Sequence, residues 1–396
     1  MTPLALSDFA LITCLGAGQA ATLAALRAGQ SGLAPCRFDT LPVGAWTGEI
    51  TACDDAPLTG EWVPFDCRNN CLAALALAQD GFMGVVEDAK TRYGTSRIGL
   101  FLGTSTSGIL QAEQAYKRRD AQGLLPADFD YTRTHNTYSL AQFTRAYLGL
   151  HGPAFVISTA CAATSKVFAS AARFIAAGLC DAAIIGGADT LCATTLFGFH
   201  ALGVMAEGPC RPFDAARSGI SIGEAAGFAL LERPGPQHGP GTTLLLGTGE
   251  SADAYHMSSP HPDGEGARRA MRLALEDAAL APEQIDYINL HGTATLAGDA
   301  AEDRAISGLF GNAVPCNSSK GFTGHTLGAS GVVGAAISAL ALRHGFLPGS
   351  PHTTRVDPEF YCNYLIAGRA AQPKIIMSNA FGFGGVNCSL ILGRAA

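Results

Sequence analysis

The stretch Phe155-Val-Ile-Ser-Thr-Ala-Cys-Ala-Ala-Thr-Ser-Lys166 decides the fold of this chain. An apolar run that favours a β-strand ends in small residues, Cys161 follows, and an alanine-rich helix begins. A strand that turns directly into a helix places the side chain of the turn at the helix N-terminus, where free N–H groups and the helix dipole favour an anion. We therefore predict that Cys161 is a covalent nucleophile whose pKa is lower than that of a free thiol.

The bulk composition is typical of a tightly turned α/β enzyme. With 396 residues, 48% of them hydrophobic and 48 of them glycine, the chain can bury a large core as one duplicated domain or as two domains. The formal net charge of −7 gives no broad basic surface, so we expect no nucleic-acid partner. The apolar stretch 331–342 is too short to cross a bilayer, so we also expect no membrane association.

The cysteine pattern does not predict a metal site. None of the twelve cysteines forms a C-x-x-C pair, and the closest two, Cys67 and Cys71, have helical spacing. Structural zinc sites usually contain two close pairs of ligands, so we predict no bound metal. Scattered thiols without a signal peptide are typical of a reduced, cytoplasmic protein.

Strands alternate with helices along the whole chain. Beyond the opening stretch, we predict strands at residues 9–15, 97–103, 182–187, 228–231, 243–249, 287–291, 314–318, 374–379 and 387–392. We predict helices at residues 19–27, 67–79, 109–119, 266–279, 299–309 and 328–342. Residues 31–64 have the composition of a loop, and residues 234–241 form the best linker candidate. This alternation indicates α/β layers in two halves, 1–233 and 242–396.

Each half contains a strand, a short turn with a reactive residue, and an Ala/Gly-rich helix. Cys161 occupies this turn in the first half and His325 in the second, and His291 ends another strand in a Gly-containing turn. A single histidine is more often structural than catalytic. However, loops at the carboxyl ends of strands converge on one site in α/β proteins, and two-fold pseudosymmetry would bring these turns face to face. A nucleophilic cysteine with two histidines is a plausible catalytic set.

Six motifs occur in an order that resembles one enzyme family. They are Thr159-Ala-Cys161, Arg211-Pro-Phe-Asp214, Asp253-Ala-Tyr-His-Met-Ser-Ser-Pro260, His291-Gly-Thr-Ala-Thr295, Lys320 five residues before His325, and Asn379-Ala-Phe-Gly-Phe-Gly-Gly-Val-Asn387. Together they resemble the β-ketoacyl-acyl carrier protein synthases of the Cys-His-His type. The resemblance covers nearly the whole chain. It implies an α/β thiolase-like fold, in which two pseudo-symmetric βαβαβαββ halves form a layered α/β/α/β/α core.

The resemblance implies a decarboxylating Claisen condensation. Cys161 would accept an acyl group from the phosphopantetheine thioester of an acyl carrier protein. A malonyl thioester would then lose carbon dioxide and attack the acyl-enzyme as an enolate, which yields a 3-oxoacyl-acyl carrier protein. No cofactor beyond the carrier-bound phosphopantetheine is implied. The implied partners are the acyl carrier protein and, in a dimer, a second copy or a paralogous subunit.

The resemblance also assigns the residues of the site. The catalytic residues are Cys161, His291, His325, Lys320 and Glu302, with Asp299 as a nearby acid. The backbone N–H groups of Cys161 and Phe383 would form the oxyanion hole, which requires donors aimed at the developing charge. The two histidines would hydrogen-bond the malonyl thioester carbonyl, so at least one must be neutral with Nε2–H as the donor.

Substrate contacts are implied for four positions. Thr293 and Thr295 would hold the pantetheine arm, Phe383 would gate the acyl pocket, and Thr106 would face the acyl chain. From the residues alone, the threonines could instead cap a turn and Phe383 could pack in the core. Lys320 and Glu302 could likewise form an ordinary salt bridge.

A basic patch is expected to receive the acidic carrier protein. Arg68, Lys117, Arg118 and Arg119 lie where the family binds its carrier, although a solvated helix end would have the same pattern. The loop Thr104–Ser107 has less glycine than housekeeping members of the family. This difference favours a pathway-specific synthase, for example one for polyene or pigment chains.

Two other functions fit the same fold. A non-catalytic chain-length partner subunit would resemble a synthase but would typically lack the nucleophile, which is present here with both histidines. A biosynthetic thiolase would use a second catalytic cysteine near the C-terminus, and Cys388 follows the Gly-rich loop. The Gly-His motif at His325 and the presence of Phe383 argue against the thiolase.

Overall fold

A computed structural model describes residues 1–37 and 44–395 of the chain. Its strands are β1 (Leu4–Thr13), β2 (Gly16–Ala17), β3 (Ala34–Pro35), β4 (Trp46–Gly48), β5 (Ile98–Gly103), β6 (Ala154–Ile157), β7 (Ala182–Asp189), β8 (Ile222–Gly223), β9 (Ala225–Glu232), β10 (Thr243–Ala252), β11 (Tyr287–Asn289), β12 (Pro315–Asn317), β13 (Phe346–Leu347), β14 (Asn363–Tyr364), β15 (Arg369–Ala370), β16 (Ile375–Gly382) and β17 (Val386–Arg394). Its α-helices are α1 (Gly18–Ala28), α2 (Arg68–Leu77), α3 (Phe82–Tyr93), α4 (Ile109–Lys117), α5 (Ser139–Tyr147), α6 (Ala163–Ala176), α7 (Ala193–Ala201), α8 (Glu265–Ala278), α9 (Leu296–Phe310), α10 (Lys320–Thr323) and α11 (Ser330–His344).

The strand order repeats between the two halves. Hydrogen-bonded strands run in the order β14-β12-β11-β16-β17-β10-β1-β9-β7-β5-β6. If the five main strands of each half are numbered along the chain, both halves show the order 3-2-4-5-1, as β6-β5-β7-β9-β1 and as β12-β11-β16-β17-β10. In each half the second strand is parallel to the third and to the fourth, and the fifth strand is antiparallel to the fourth and to the first. The predicted pseudo-symmetric α/β fold is therefore confirmed.

Two helices lie between the halves. Strands β1 and β10 join the halves through a short antiparallel register, Leu4–Leu245 to Leu6–Thr243. Helix α6 contacts strands β5 and β7 of its own half and also β10 and β17, while α11 contacts β16 and β17 and also β1 and β9. Helices α2 and α5 cover the outside of the first half, and α8 covers the second. The layers are α/β/α/β/α, as the resemblance implied.

Helix α11 forms the centre of the core. All of its residues from Gly331 to Leu342 are buried, which is typical of a helix surrounded by protein. The stretch Leu327–His344 has the length and apolar composition of a membrane span, and 89% of it is buried inside the protein. Glycine is required at position 331, because a Cβ there would lie 2.3 Å from the backbone nitrogen of Ser165 in α6.

The structure also differs from the sequence-based boundaries. Helices α3, α5 and α7 were not predicted, and the segment 31–64 contains the short strands β3 and β4 in addition to loops. Residues 38–43 of that predicted loop lie outside the described residues. The linker candidate 234–241 connects β9 to β10, so we propose 1–233 and 242–396 as the two halves.

Candidate active site

The predicted turn at Cys161 follows β6 and precedes α6. Ala160 adopts a left-handed conformation, with φ +49°, which non-glycine residues seldom adopt and which makes the turn sharp. The end of β16 packs directly against this turn. A Cβ at Gly382 would lie 3.2 Å from the backbone nitrogen of Cys161, so a side chain there would push the two segments apart. The close approach brings the Phe383 backbone to the cysteine.

Three reactive side chains from the two halves meet here. The Nε2 atom of His325 lies 2.9 Å from the Sγ atom of Cys161. The ring of His291 is perpendicular to that of His325, with the ring centroids 5.4 Å apart. The Sγ atom of Cys161 and one ring nitrogen of each histidine, His291 and His325, all lie within 4.8 Å of one another. The structure therefore brings together the cysteine and both histidines that the sequence singled out.

The prediction of a lowered pKa at Cys161 is wrong. Burial raises the pKa of the Cys161 thiol to about 11. The backbone N–H groups of Phe383 and Cys161 and the charge of Lys320 act in the opposite direction but do not overcome burial. The side chain is only 6% exposed, and this desolvation could not be read from its place in the sequence. The cysteine is a thiol at neutral pH and needs a base to become a nucleophile.

Both histidines are neutral. Burial lowers the pKa of His291 and of His325 well below the usual range, and the positive charge of Lys320 lowers both further. A neutral imidazole can accept a proton at one nitrogen and donate from the other. A neutral histidine can therefore act on a neutral thiol or on a carbonyl oxygen, according to which ring nitrogen carries the proton.

Lys320 and Glu302 hold the backbone of His291. The Nζ atom of Lys320 donates to the carbonyl oxygen of His291. The carboxylate of Glu302 accepts hydrogen bonds from the backbone nitrogens of His291 at 2.7 Å and Gly292 at 2.6 Å. The alternative of an ordinary salt bridge is therefore not found: among the described residues Lys320 and Glu302 meet through the His291 turn, and their charges interact across it.

Asp299 holds the same turn from the other side. Its carboxylate accepts hydrogen bonds from the backbone nitrogens of Ala294 at 3.0 Å and Phe213 at 2.7 Å. Burial raises the pKa of Asp299 to about 6. Thus two buried acids, Glu302 and Asp299, fix a turn that ends in the left-handed residue Ala294.

A cavity of about 300 Å³ opens in front of these residues. It is lined by Cys161, His291, His325, Thr293, Thr295, Phe199 and Phe383, among others. The rings of Phe199 and Phe383 are neighbours in this lining, with their centroids 5.5 Å apart. Thr295 also caps α9 by accepting from the Gly298 nitrogen at 3.2 Å, and its hydroxyl lies 3.1 Å from that of Thr293. Both threonines therefore line the cavity while one also caps the helix.

The placement predicted for Thr106 is wrong. Its backbone nitrogen and its hydroxyl both donate to Oδ1 of Asp189 at 2.7 Å, and the side chain is buried. The hydroxyl of Thr104 donates to the same oxygen at 2.9 Å. The polar loop thus satisfies a buried acid instead of facing an acyl chain.

The expected basic patch is only partly at the surface. The prediction that Arg68 belongs to this patch is wrong, because its Nε and Nη2 atoms donate to the two oxygens of the fully buried Glu224 at 2.6 and 2.7 Å. Lys117, Arg118 and Arg119 are exposed at the end of α4. Of these, Arg118 pairs with Asp128 at 2.9 Å. The part of the patch that we still propose is therefore the α4 end.

Two residues near the site were missed from the sequence. Asp189 is fully buried at the end of β7 and also accepts from the Ala329 nitrogen at 3.1 Å, so it links the loop after β5 to the start of α11. Ser330 places its hydroxyl 2.9 Å from Nδ1 of His325. The only available signal for Asp189 was an acid at the end of an apolar strand.

The second cysteine of a thiolase is not in this cavity. Cys388 is fully buried within β17, where it pairs with Glu250 of β10 and Ala380 of β16 in the sheet register. Burial raises the pKa of the Cys388 thiol. Its position argues against thiolase chemistry.

Known proteins match the chain over most of its length. Residues 73–235 match the family described as the β-ketoacyl synthase N-terminal domain, and residues 243–354 match its C-terminal domain. A 3-oxoacyl-[acyl-carrier-protein] synthase 2 of Staphylococcus aureus is 33% identical over 310 residues, which cover 74% of this chain and 76% of that protein. A mitochondrial 3-oxoacyl-[acyl-carrier-protein] synthase of Arabidopsis thaliana is 34% identical over 81% of this chain and 72% of its own.

Solved structures of ketosynthases also match this chain over its full length. A structure of a ketosynthase (ApeO) in complex with its chain length factor (ApeC) from Xenorhabdus doucetiae matches with a TM-score of 0.90 and 36% identity, over 100% of this chain and 98% of the matched chain. The ishigamide ketosynthase/chain length factor matches with a TM-score of 0.88 and 29% identity, over 100% of both chains.

Proposed function

The chain belongs to the β-ketoacyl synthase family and extends acyl chains by Claisen condensation, and we propose that Cys161, His291 and His325 perform the chemistry. The observation that carries this proposal is the contact of 2.9 Å between the Cys161 thiol and a neutral His325 inside the cavity. A thiol that burial keeps protonated needs a base at this position.

The acyl group is loaded onto Cys161 first. As Sγ attacks the thioester carbonyl of an acyl carrier protein, the thiol proton passes to Nε2 of His325. The oxyanion lies against the N–H groups of Cys161 and Phe383, the two groups that already point at Sγ. Collapse of the tetrahedral intermediate breaks the bond to the phosphopantetheine sulfur, which leaves with the proton from His325.

Decarboxylation and condensation follow. The carbonyl oxygen of the malonyl thioester lies between the N–H donors of His291 and His325. The bond to the carboxylate breaks, carbon dioxide leaves, and its electron pair forms an enolate that these donors stabilise. The enolate carbon attacks the acyl carbonyl on Cys161 and expels the thiolate, which takes a proton from the medium.

We propose that the reaction uses carrier-bound thioesters and no further cofactor. Loss of carbon dioxide itself supplies the carbon nucleophile, so no base strong enough to remove a C–H proton is needed. Thr293 and Thr295 line the route to Cys161 and present hydroxyls to the polar pantetheine arm. Phe383 lines the cavity against Phe199, and we propose that it gates the entry of the acyl chain.

The test is a loading and release assay. The protein is incubated with malonyl carrier protein and an acyl carrier donor, and carbon dioxide, the 3-oxoacyl product and the mass of the Cys161 peptide are measured. We expect the acyl mass on Cys161 in the wild type and neither acyl mass nor product in Cys161→Ala. Absence of both carbon dioxide release and acyl mass in the wild type would refute the proposal.

We propose that the protein works in the cytoplasm as one subunit of a dimer, with an acyl carrier protein as its substrate partner. Strand β6 is the outer strand of the sheet, and its Phe155 is 43% exposed. Such an edge can pair with a strand of another chain. The similarity to ketosynthase/chain length factor complexes favours a paralogue as the second subunit. The complete Cys-His-His set makes this chain the catalytic subunit and argues against a non-catalytic chain-length partner.

Native mass spectrometry tests the pairing. The chain is measured alone and after coexpression with a paralogue that lacks the nucleophile. A one-to-one complex in preference to the homodimer supports the heterodimer. A homodimer that persists in the presence of the paralogue contradicts it.

A further inference from the structure

His325 lies between a thiol and a hydroxyl pair. Its Nε2 atom faces Cys161 Sγ at 2.9 Å, and its Nδ1 atom faces the Oγ atom of Ser330 at 2.9 Å. Ser330 is the first residue of α11, and its Oγ lies 3.2 Å from Oγ1 of Thr326. The ring therefore has one partner on each nitrogen, a thiol on one side and a hydroxyl on the other.

The two chemical steps require opposite tautomers of His325. In loading, Nε2 must be bare to take the thiol proton, so the neutral ring carries its proton on Nδ1. In decarboxylation, Nε2 must carry a proton to donate to the thioester carbonyl, so Nδ1 is bare. The tautomer of a histidine is set by the hydrogen bond at its other nitrogen. The partner of Nδ1 therefore decides whether one ring can serve both steps.

A hydroxyl accepts both tautomers. A carbonyl oxygen at this place would fix the proton on Nδ1, and a backbone N–H would fix it on Nε2, whereas a serine hydroxyl can accept or donate. Thr326 can supply or receive the second hydrogen bond when the Ser330 hydroxyl rotates. We propose that Ser330, assisted by Thr326, is a positioning residue that lets His325 exchange tautomers between loading and decarboxylation.

His291 provides the contrast. Its Nδ1 atom is buried and has no hydrogen-bond partner among the described residues. A bare acceptor without a partner costs less than a buried N–H without one, so His291 keeps its proton on Nε2. The two histidines therefore differ: His291 is a fixed donor, and His325 alternates. This inference rests on the function proposed above for Cys161 and His325.

The kinetic test separates the two steps in Ser330→Ala. Without an acceptor for Nδ1–H, the ring is restricted to the Nε2–H tautomer, which suits decarboxylation and not loading. We expect the rate of acyl transfer to Cys161 to fall about tenfold or more. Decarboxylation of malonyl carrier protein, measured in a Cys161→Ala background, should change less than about threefold on the same argument. Ser330→Thr, which keeps a hydroxyl, should restore loading.

The control variant is Ser338→Ala. Ser338 lies on the same helix, is also buried, and its hydroxyl donates only to the Gly334 carbonyl at 2.8 Å. This variant should leave both rates unchanged. If Ser330→Ala lowers loading and decarboxylation equally, or lowers neither, the inference is wrong. Failure of the wild type in both steps would instead overturn the proposed function.

A spectroscopic measurement does not depend on turnover. ¹⁵N NMR of histidine-labelled protein reports the tautomer of each ring, and the His325 signals are identified by their loss in His325→Asn. We expect wild-type shifts between those of the two tautomers, and shifts of the pure Nε2–H form in Ser330→Ala. Identical shifts in the wild type and Ser330→Ala would overturn the inference even if the variant were less stable.

Discussion

Replacement of Glu302 by glutamine tests whether the His291 turn is held for catalysis. The carboxylate accepts the backbone N–H groups of His291 and Gly292 with its two oxygens. Glutamine can place its carbonyl oxygen at only one of them, so its NH₂ group faces the other N–H. One charge-assisted hydrogen bond is lost and two buried donors face each other.

The energy of the lost hydrogen bond sets the size of the expected change in kcat. A hydrogen bond to a charged group contributes about 1.5–3 kcal/mol. If that energy is lost from the geometry of the transition state, kcat falls about 10- to 150-fold. Loss of the Glu302 charge also lowers the pKa of Lys320 further, because that charge helps to keep Lys320 protonated. Both consequences act at His291, one of the two donors that we propose for the enolate.

The neighbouring residue supplies a matched control. Asp303 is also buried on α9 and also accepts two backbone hydrogen bonds, from Tyr361 at 3.0 Å and Cys362 at 2.9 Å, but it does not line the cavity. Because both bonds go to Oδ1, asparagine could keep them, so the control is Asp303→Ala, which removes both. It should lower the free energy of unfolding at least as much in a urea titration, while kcat for condensation stays near the wild-type value. The reasoning is refuted if Glu302→Gln keeps kcat within about twofold, or if both variants lose activity equally.

Three further predictions use other contacts. The alkylation rate of Cys161 should rise about tenfold per pH unit between about pH 7 and pH 9, because the thiolate fraction grows while pH stays below the pKa; a plateau in peptide mass spectrometry by pH 8 would contradict the pKa of about 11. Thr106→Val should lower the free energy of unfolding by about 1.5–3 kcal/mol through the lost bond to Asp189, and an altered acyl chain-length profile would contradict its placement. Arg68→Ala should lower the free energy of unfolding by about 3–5 kcal/mol, because it leaves the Glu224 carboxylate buried and without its ion-pair partner. A raised KM for carrier protein in the still-folded variant would instead show that Arg68 belongs to the carrier-binding patch.

The α/β layers and the convergence of Cys161, His291 and His325 could be predicted because both follow from the local pattern of strands, turns and helices in the sequence. The turn residues Cys161 and His325 follow strands that occupy the same place in two repeated halves, so their convergence follows from the order of the strands. Helices α3, α5 and α7 were missed although the structure forms them. For α7 the cause is visible, since its polar residues Thr194, Thr195 and His200 are spread around the helix and mark no single polar face.

Burial and backbone partners could not be read in the same way. The pKa of Cys161 depends on how much protein surrounds it, and its neighbours come from both halves. Arg68 has the sequence of a surface cation, yet its partner Glu224 lies 156 residues away. Similarly, Lys320 bonds a carbonyl oxygen, and no residue type in the sequence identifies that acceptor.

The turn at Cys161 has a consequence for the evolution of paired subunits. Its shape comes from the left-handed Ala160 and from the approach of Gly382, and the donors at Sγ are backbone N–H groups. None of these depends on the thiol itself. A duplicated gene could therefore lose catalysis by a single codon change and still encode a folded subunit that binds thioesters. In this architecture, a single substitution at the nucleophile is thus enough to separate a catalytic subunit from a non-catalytic paralogue that only shapes the product.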